Sequence, residues 1–441
     1  MTTRNSKLPL TKRYVHCWLQ ICDPEGLNTL MLLLLGWCKH DTVKRRVSAC
    51  NLFAIFCEET ELDSSLYRVD WIRQLISLLD DGEAPVHTAA WHALDAFVKS
   101  IPKDELEPLV VPLRRTIEST GAPGIHVPGF SLRKGVSPTV PIIIAGLTTG
   151  SNEQREQAAY AISDLVERTE ENAIKPFVVP FTGPLIRVAT QATTYPPAVK
   201  TAILTALSTM LERIPTFVKP FFPQLQRTFV KSASDPASTV VRTKAAQALG
   251  VLMRSQTRVD PVITELISGV KVNDDAIAGS LILALAHVVE SAGASVGEKA
   301  REGCAELVAD SFKEIHDDYY IQSVAALFVA LSSYPDLVEP IVESLLDDRI
   351  TAIFSSCQHS CLWRYVVHAV GARSTERTAN TILDITGSGI TVCRLVLGVW
   401  QGITGASGVA MVAPIMLGYH FTVKAPNLNT AVGKRTDCAR H

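Results

Sequence analysis

One arrangement of apolar and small residues recurs along the chain. An aliphatic residue is followed four and seven positions on by small residues, then by another aliphatic, with larger residues standing in at some copies. It is read at Val86, Ala90, Ala93 and Leu94; at Val199, Ile203, Ala206 and Leu207; and at Val241, Ala245, Ala248 and Leu249. Further copies are Ile277, Leu281, Ala284 and Leu285, and Ile321, Ala325, Phe328 and Val329. QREQAAYAI at Gln154 and VKRRVSACN at Val43 are weaker versions. Offsets of four, seven and eight share one helical face, and small residues there let a neighbouring helix approach closely.

Copies start at 43, 86, 154, 199, 241, 277 and 321. Most intervals are about 36 to 45 residues, the spacing of HEAT or armadillo repeats. A partner segment precedes several copies: LEPLVVPLRRTI, KPFVVPFTGPLIRVA, KPFFPQLQRTFVK, DPVITELISGV and VEPIVESLL. Proline near a helix start is tolerated because the first-turn N–H has no partner anyway. Pro180 and Pro184 lie deeper, which predicts a helix that is kinked or begins late. Polar turns at Leu79–Gly82, Ser234–Pro236 and Asn273–Asp275 supply Asp and Ser as caps for the second helix. The long interval from 86 to 154 holds an extra helix and Gly121–Gly135, an ordered loop or interrupted repeat. The pattern therefore predicts an all-α, HEAT/armadillo-like α-solenoid superhelix over 26–346, of about seven to eight repeats, in which stacking buries what no pair can bury alone. Residues 1–25 form an N-terminal segment without assignment.

The pattern stops near Leu346. From Asp348 onward there are nine Lys/Arg against four Asp/Glu, in Gly- and Ser/Thr-rich text without helical period. Residues 395–421 lack charge and are long enough to span a membrane, but their polar content is poorly suited to one. Segment 347–441 is read as an aberrant tail, disordered or a gene-model artefact.

Composition removes several classes. The chain has 441 residues, 47% hydrophobic and 20% charged, with net charge −2. It is too apolar for a disordered polymer and too neutral overall for a strongly basic nucleic-acid binder. Ten cysteines at irregular spacing, without C-x-x-C or a secretory opening, point to reduced thiols in the cytosol. No P-loop, nucleophile elbow, zincin or kinase signature occurs. Cys357, His359, Cys361 and His368 lack the second pair a zinc site needs. Cys17, Cys22, Cys50 and Cys57 read as core thiols, and His87 and His92 as surface or satisfied histidines. The expectation is a non-enzyme with no catalytic residue, no metal and no cofactor.

Arg115 in PLRRTI, Arg187 in PLIRVA and Arg227 in QLQRTF occupy similar places in three first helices. Aligned by stacking, and joined by Arg114, Lys219 and Lys231, they would form a basic ridge for an acidic protein partner, since guanidinium pairs bidentately with carboxylate. The alternative is that each arginine pairs with an acidic turn of the next repeat. Phe221 and Phe222 read as core or inter-repeat packing.

SLYRVDWIRQLISLLDD, DELEPLVVPLRRTIESTGAPGIHVPGFSLRKG, TGSNEQREQAAYAISDLVERT, KPFVVPFTGPLIRVA, VKPFFPQLQRTFVKS and RVDPVITELISGVK together resemble the large HEAT-repeat translational activator of the general amino-acid control kinase, in its C-terminal part and in fungal form. The likeness runs from about Gly26 to Leu346. It implies a cytoplasmic, ribosome-associated scaffold of the amino-acid starvation response. This region of it binds the RWD domain of the kinase that phosphorylates initiation factor 2 alpha. It implies no DNA and no small-molecule substrate. The family's kinase-binding arginine, in its PLIR motif, maps onto Arg187, and a phenylalanine of its KPF motif onto Phe221. The partner-binding residues expected are thus Arg187, Phe221, Arg115, Arg227 and Lys219. The chain is read as a fragment that keeps the docking module and lacks most of the ribosome-binding length. Rival readings are a transport- or phosphatase-type HEAT scaffold, and an adaptor tethered to membrane through 395–421.

Overall fold

The computed structural model describes residues 24–341, apart from 61, 122–123, 192–194, 312–315, 335 and 338–339. The regular elements among the described residues are all helical. They fall into two compact units, divided between Thr228 and Phe229.

In the first unit the helices are α1 (Pro24–Cys38), α2 (Val43–Glu59), α3 (Arg68–Leu78), α4 (Ala84–Ser100), α5 (Val110–Ser119), α6 (Val140–Thr148), α7 (Asn152–Arg168), α8 (Val178–Thr190) and α9 (Pro197–Arg213). Helix α10 (Phe222–Ala233) spans the boundary. First helices stack on first helices, α1 on α3, α3 on α5 and α6 on α8; second helices do the same, α2 on α4 and α7 on α9. The small-residue face makes this contact. Val86, Ala90, Ala93, Leu94, Val199, Ile203, Ala206 and Leu207 are all buried. Trp71 of α3 is fully enclosed; its ring stacks on Phe53 of α2 at 3.4 Å between centroids, and its Nε1–H points to Met31 Sδ of α1 at 3.2 Å.

The long interval has a structural cause. Helices α5 and α6 both pack on α7, and the segment after α5 winds irregularly where a second helix would lie between α4 and α7. It is pinned at three places. The Gly129 amide donates to Leu79 O (2.8 Å), the Val127 amide to Arg168 O (2.8 Å), and Trp91 Nε1 of α4 to Lys134 O (3.2 Å). Val127, Phe130 and Val136 are buried beneath it. Gly129 is required because a Cβ there would lie 2.6 Å from that of Leu79.

The second unit holds α11 (Thr239–Met253), α12 (Asp260–Val270), α13 (Asp275–Ala292), α14 (Glu298–Asp310) and α15 (Asp318–Leu331). Helix α13 packs between α11 and α15, and α12 against α14. Gly250 permits the α11–α13 approach, since a Cβ would stand 2.8–2.9 Å from the Cβ and carbonyl of His287. Arg242, only 4% exposed, donates to Ser280 Oγ (2.8 Å), Asp235 O (2.9 Å) and Thr239 Oγ1 (2.9 Å). Helix α13 is long and apolar enough to cross a membrane by composition alone, but over half of it is buried in this packing.

The caps follow the polar turns in part. Ser238, Asp274 and Asp317 accept the amides of Val241, Ile277 and Tyr320, and Ser151 with Gln154 completes a capping box on α7. The Asp80–Asp81 turn differs in part from expectation: Asp81 pairs with Arg46 Nε at 2.9 Å and accepts the Glu83 amide at 3.0 Å, but Glu83, not Asp81, is the N-cap of α4. Of the expected thiols, Cys50 and Cys57 are buried and in no disulfide; Cys17 and Cys22 lie outside the described residues. So do Cys357, His359, Cys361, His368, residues 395–421 and the whole of 347–441.

Candidate protein-docking surface

Three first helices open on the same device. A Pro-containing 3-10 turn, Glu107–Leu109, Lys175–Phe177 or Lys219–Phe221, runs directly into α5, α8 or α10. This is how α8 begins late: Pro180 falls in its first turn, and Pro184 alone lies inside the helix. Relative to the turn the arginines are not all equivalent. Arg115 and Arg227 stand eight residues after its first residue, whereas Arg187 stands twelve after, one helical turn further along the same face.

Arg115, Arg187, Arg227 and Lys219 are all exposed, and none has an ion pair or side-chain hydrogen bond to another described residue. Arg187 lies in the last turn of α8, where a cation also complements the helix dipole. Phe221 is half-buried, while its neighbour Phe222 is buried in the core. The corresponding Phe177 is buried against Phe181, with ring centroids 6.3 Å apart.

Arg114, one residue from Arg115, has the opposite fate. It forms ion pairs with Glu118 Oε2 (2.7 Å) and Asp164 Oδ2 (3.3 Å), and lies 5.5 Å from the centre of the Tyr160 ring. Arg168, 5% exposed, donates to the carbonyls of Thr120 (3.1 Å) and Glu118 (3.0 Å) and faces Asp164 Oδ1 at 3.4 Å. Burial pushes the Asp164 carboxyl above its usual range, and the two guanidinium groups only partly offset it. Internal pairing therefore accounts for Arg114 and Arg168. The expected ridge is also interrupted: α6 packs on both α5 and α8 and carries no charged residue, so Arg115 and Arg187 are separated by a neutral helix.

Sequence reasoning passed over two cations of the same region. Lys175 Nζ sits 5.0 Å from the centre of the Phe217 ring, and Arg213 is exposed at the end of α9. A local charge count exposes them. Residues 172–228 hold Lys175, Arg187, Lys200, Arg213, Lys219 and Arg227 against Glu212 alone. No group of three or more His, Cys, Asp or Glu able to hold a metal occurs among the described residues. His87 Nδ1 lies 3.1 Å from Asp81 O, and exposed His92 packs edge-on against Trp91.

Paired helices stacked in register define the class, a HEAT-repeat α-solenoid. Its helices superpose on yeast importin-beta (Kap95p) with a TM-score of 0.50 over 92% of this chain and 55% of that one, at 15% identity, a likeness of fold alone. The chain belongs to the GCN1 family. Residues 9–134 match the family model described as stalled ribosome sensor GCN1-like, HEAT repeats. The chain is 36% identical over 334 residues to the eIF-2-alpha kinase activator GCN1 of Saccharomyces cerevisiae, and 34% identical over 313 residues to the stalled ribosome sensor GCN1 of Homo sapiens. Those matches cover 76% and 70% of this chain but 12% of each relative.

Proposed function

We propose that this chain is a non-catalytic docking module. It binds the RWD domain of an eIF-2-alpha kinase through the first-unit surface around Arg187, as part of ribosome-linked activation of the amino-acid starvation response in the cytoplasm. The observation that carries the reading is the absence of any described internal counter-ion for Arg187, in a stretch with six cations and one carboxylate. An exposed guanidinium without a partner is free to clamp a carboxylate of another protein. Arg227 and Lys219, of the following repeat, extend the same charge. Phe221, half-buried in its 3-10 turn, acts by holding that turn in shape. The relatives support the pathway by their names, kinase activator and stalled ribosome sensor.

Isothermal titration of the chain with the kinase's RWD domain tests this. Arg187→Ala is expected to cost about 2 kcal/mol, roughly thirtyfold in Kd, as an interface arginine of the hot-spot kind. Arg115→Ala, beyond the neutral α6, is expected to change Kd less than threefold. Equal binding by Arg187→Ala and wild type would overturn the site. No binding of any RWD domain by wild type would overturn the function.

A further inference from the structure

The second unit carries a feature that the kinase-docking reading does not use. Helices α13 and α15 lie side by side, yet a trough of about 370 Å³ remains between them. Small residues on α15 create it. Ala326 and Ala330, one turn apart, lie opposite Leu283 and His287, themselves one turn apart on α13. Val329, 40% exposed, forms an apolar wall, and Tyr334 closes one end with its hydroxyl donating to Gly293 O at 2.7 Å. From Leu283 to Gly293 the trough runs about 15 Å, or three helical turns.

Its charge is one-sided. Neither α13 nor α15 contains a lysine or arginine. Glu290 lies on the rim. At the other end of the two helices, beyond the trough, Asp275 holds His316 (3.1 Å) and Asp318 is exposed. Burial keeps His287 below its ordinary pKa, against a weaker opposing pull from Glu290, so it is neutral at pH 7. At the end that Tyr334 closes, Arg301 of α14 is stacked 4.1 Å from the centre of the Tyr334 ring. Residues 260–341 as a whole hold fourteen Asp/Glu against four Lys/Arg.

We propose that this trough docks a basic amphipathic segment of a partner protein, about three turns long, with its apolar face between α13 and α15 and its lysines or arginines toward the acidic rim. Apolar area supplies affinity, and Glu290, within a region rich in carboxylates, selects a cationic occupant over a neutral or acidic one. The proposal stands apart from the Arg187 surface, which lies in the other unit and has the opposite charge.

The test is fluorescence anisotropy of the full chain with three labelled helical peptides of about fourteen residues. One has leucine on one face and lysine on the other, one has glutamate in place of lysine, and one is the scrambled lysine peptide. The lysine amphipath is expected to bind about tenfold tighter than the other two. Filling the trough with Ala326→Leu and Ala330→Leu is expected to lower its affinity about tenfold with the circular-dichroism melt retained. If that variant fails to fold, Val329→Thr, which makes the wall polar at nearly constant volume, should cost about fivefold. Glu290→Lys should cost about threefold and flatten the salt dependence. Equal binding of all three peptides, or full affinity in the folded trough variants, overturns the proposal. So does a photo-crosslinker at position 329 that traps residues 342–441 of the same chain and is not displaced by the lysine peptide.

Discussion

Replacing Arg168 by methionine separates arginines that hold the fold from arginines that face outward. Methionine keeps most of the aliphatic stem and removes the guanidinium. Two charge-assisted hydrogen bonds, to the carbonyls of Thr120 and Glu118, disappear from a side chain only 5% exposed. Each bond from a charged donor contributes about 1.5–3 kcal/mol. Those carbonyls end α5, so the loss also uncaps that helix. Asp164 loses one of the two cations that offset its burial, and breaking a buried pair costs about 3–5 kcal/mol. These contributions overlap, so the expected loss is about 3–5 kcal/mol in total. The chain has two compact units, so a single global transition is not assured. The assay is therefore urea unfolding combined with amide exchange at Val127, whose N–H donates to Arg168 O, and at Gly129. Asp164 also gives a pH signature. Its folded pKa is raised above the unfolded value, so its favourable contribution is complete below about pH 4 and is lost as pH rises through the folded pKa. Without Arg168 that pKa rises further, and the deficit of the variant should grow from pH 4 to pH 7. Arg187→Met, exposed and unpaired among the described residues, should stay within about 0.5 kcal/mol of wild type. A loss below about 1 kcal/mol in Arg168→Met, or equal losses in the two variants, refutes the division.

Gly250→Ala gains helix propensity of about 1 kcal/mol, but its Cβ would meet His287 at 2.8–2.9 Å, so urea titration should show a net loss of about 1–3 kcal/mol. Trp71→Ala should cost about 3–5 kcal/mol in the same titration, because the ring is fully enclosed and stacked on Phe53. Burial pushes the thiols of Cys57 and Cys304 up to about 12, so a thiol-specific reagent at pH 8 should label them only after unfolding; rapid native-state labelling would refute their enclosure.

The stacked architecture was legible because one face of each second helix must be both apolar and small. Val86, Ala90, Ala93 and Leu94 declare that face by spacing, and all four are buried. The interruption between 86 and 154 was legible from its glycines and prolines. Its role was not, because standing in for a helix depends on tertiary anchors at Leu79, Lys134 and Arg168 that no local pattern encodes. Arg114 and Arg115 show the same limit at one site. Adjacent residues on a helix point about 100° apart, and only the position of α7 decides which meets Asp164 and which meets solvent. The interruption of the arginine ridge by α6 was hidden for the same reason. The charge segregation was present in the sequence all along, but a net charge of −2 averages it away.

That segregation gives the two units surfaces of different sign. Between residues 172 and 228 the chain carries six cations and one carboxylate, an excess that folding does not require, since like charges within a Debye length of about 10 Å repel. Elsewhere in the same unit the chain neutralises such charge internally, as Glu118 and Asp164 do for Arg114. Arg187, Lys219 and Arg227 receive no such treatment. Between residues 260 and 341 the excess is of the opposite sign, and one of its members, Glu290, borders a trough that alanines leave open. Folding alone explains neither excess, since each would be reduced by single substitutions at exposed positions without touching the core. The two proposed associations would account for both: a carboxylate-bearing partner would relieve the first surface, a cationic amphipath the second, and opposite signs would keep each partner from the other's place.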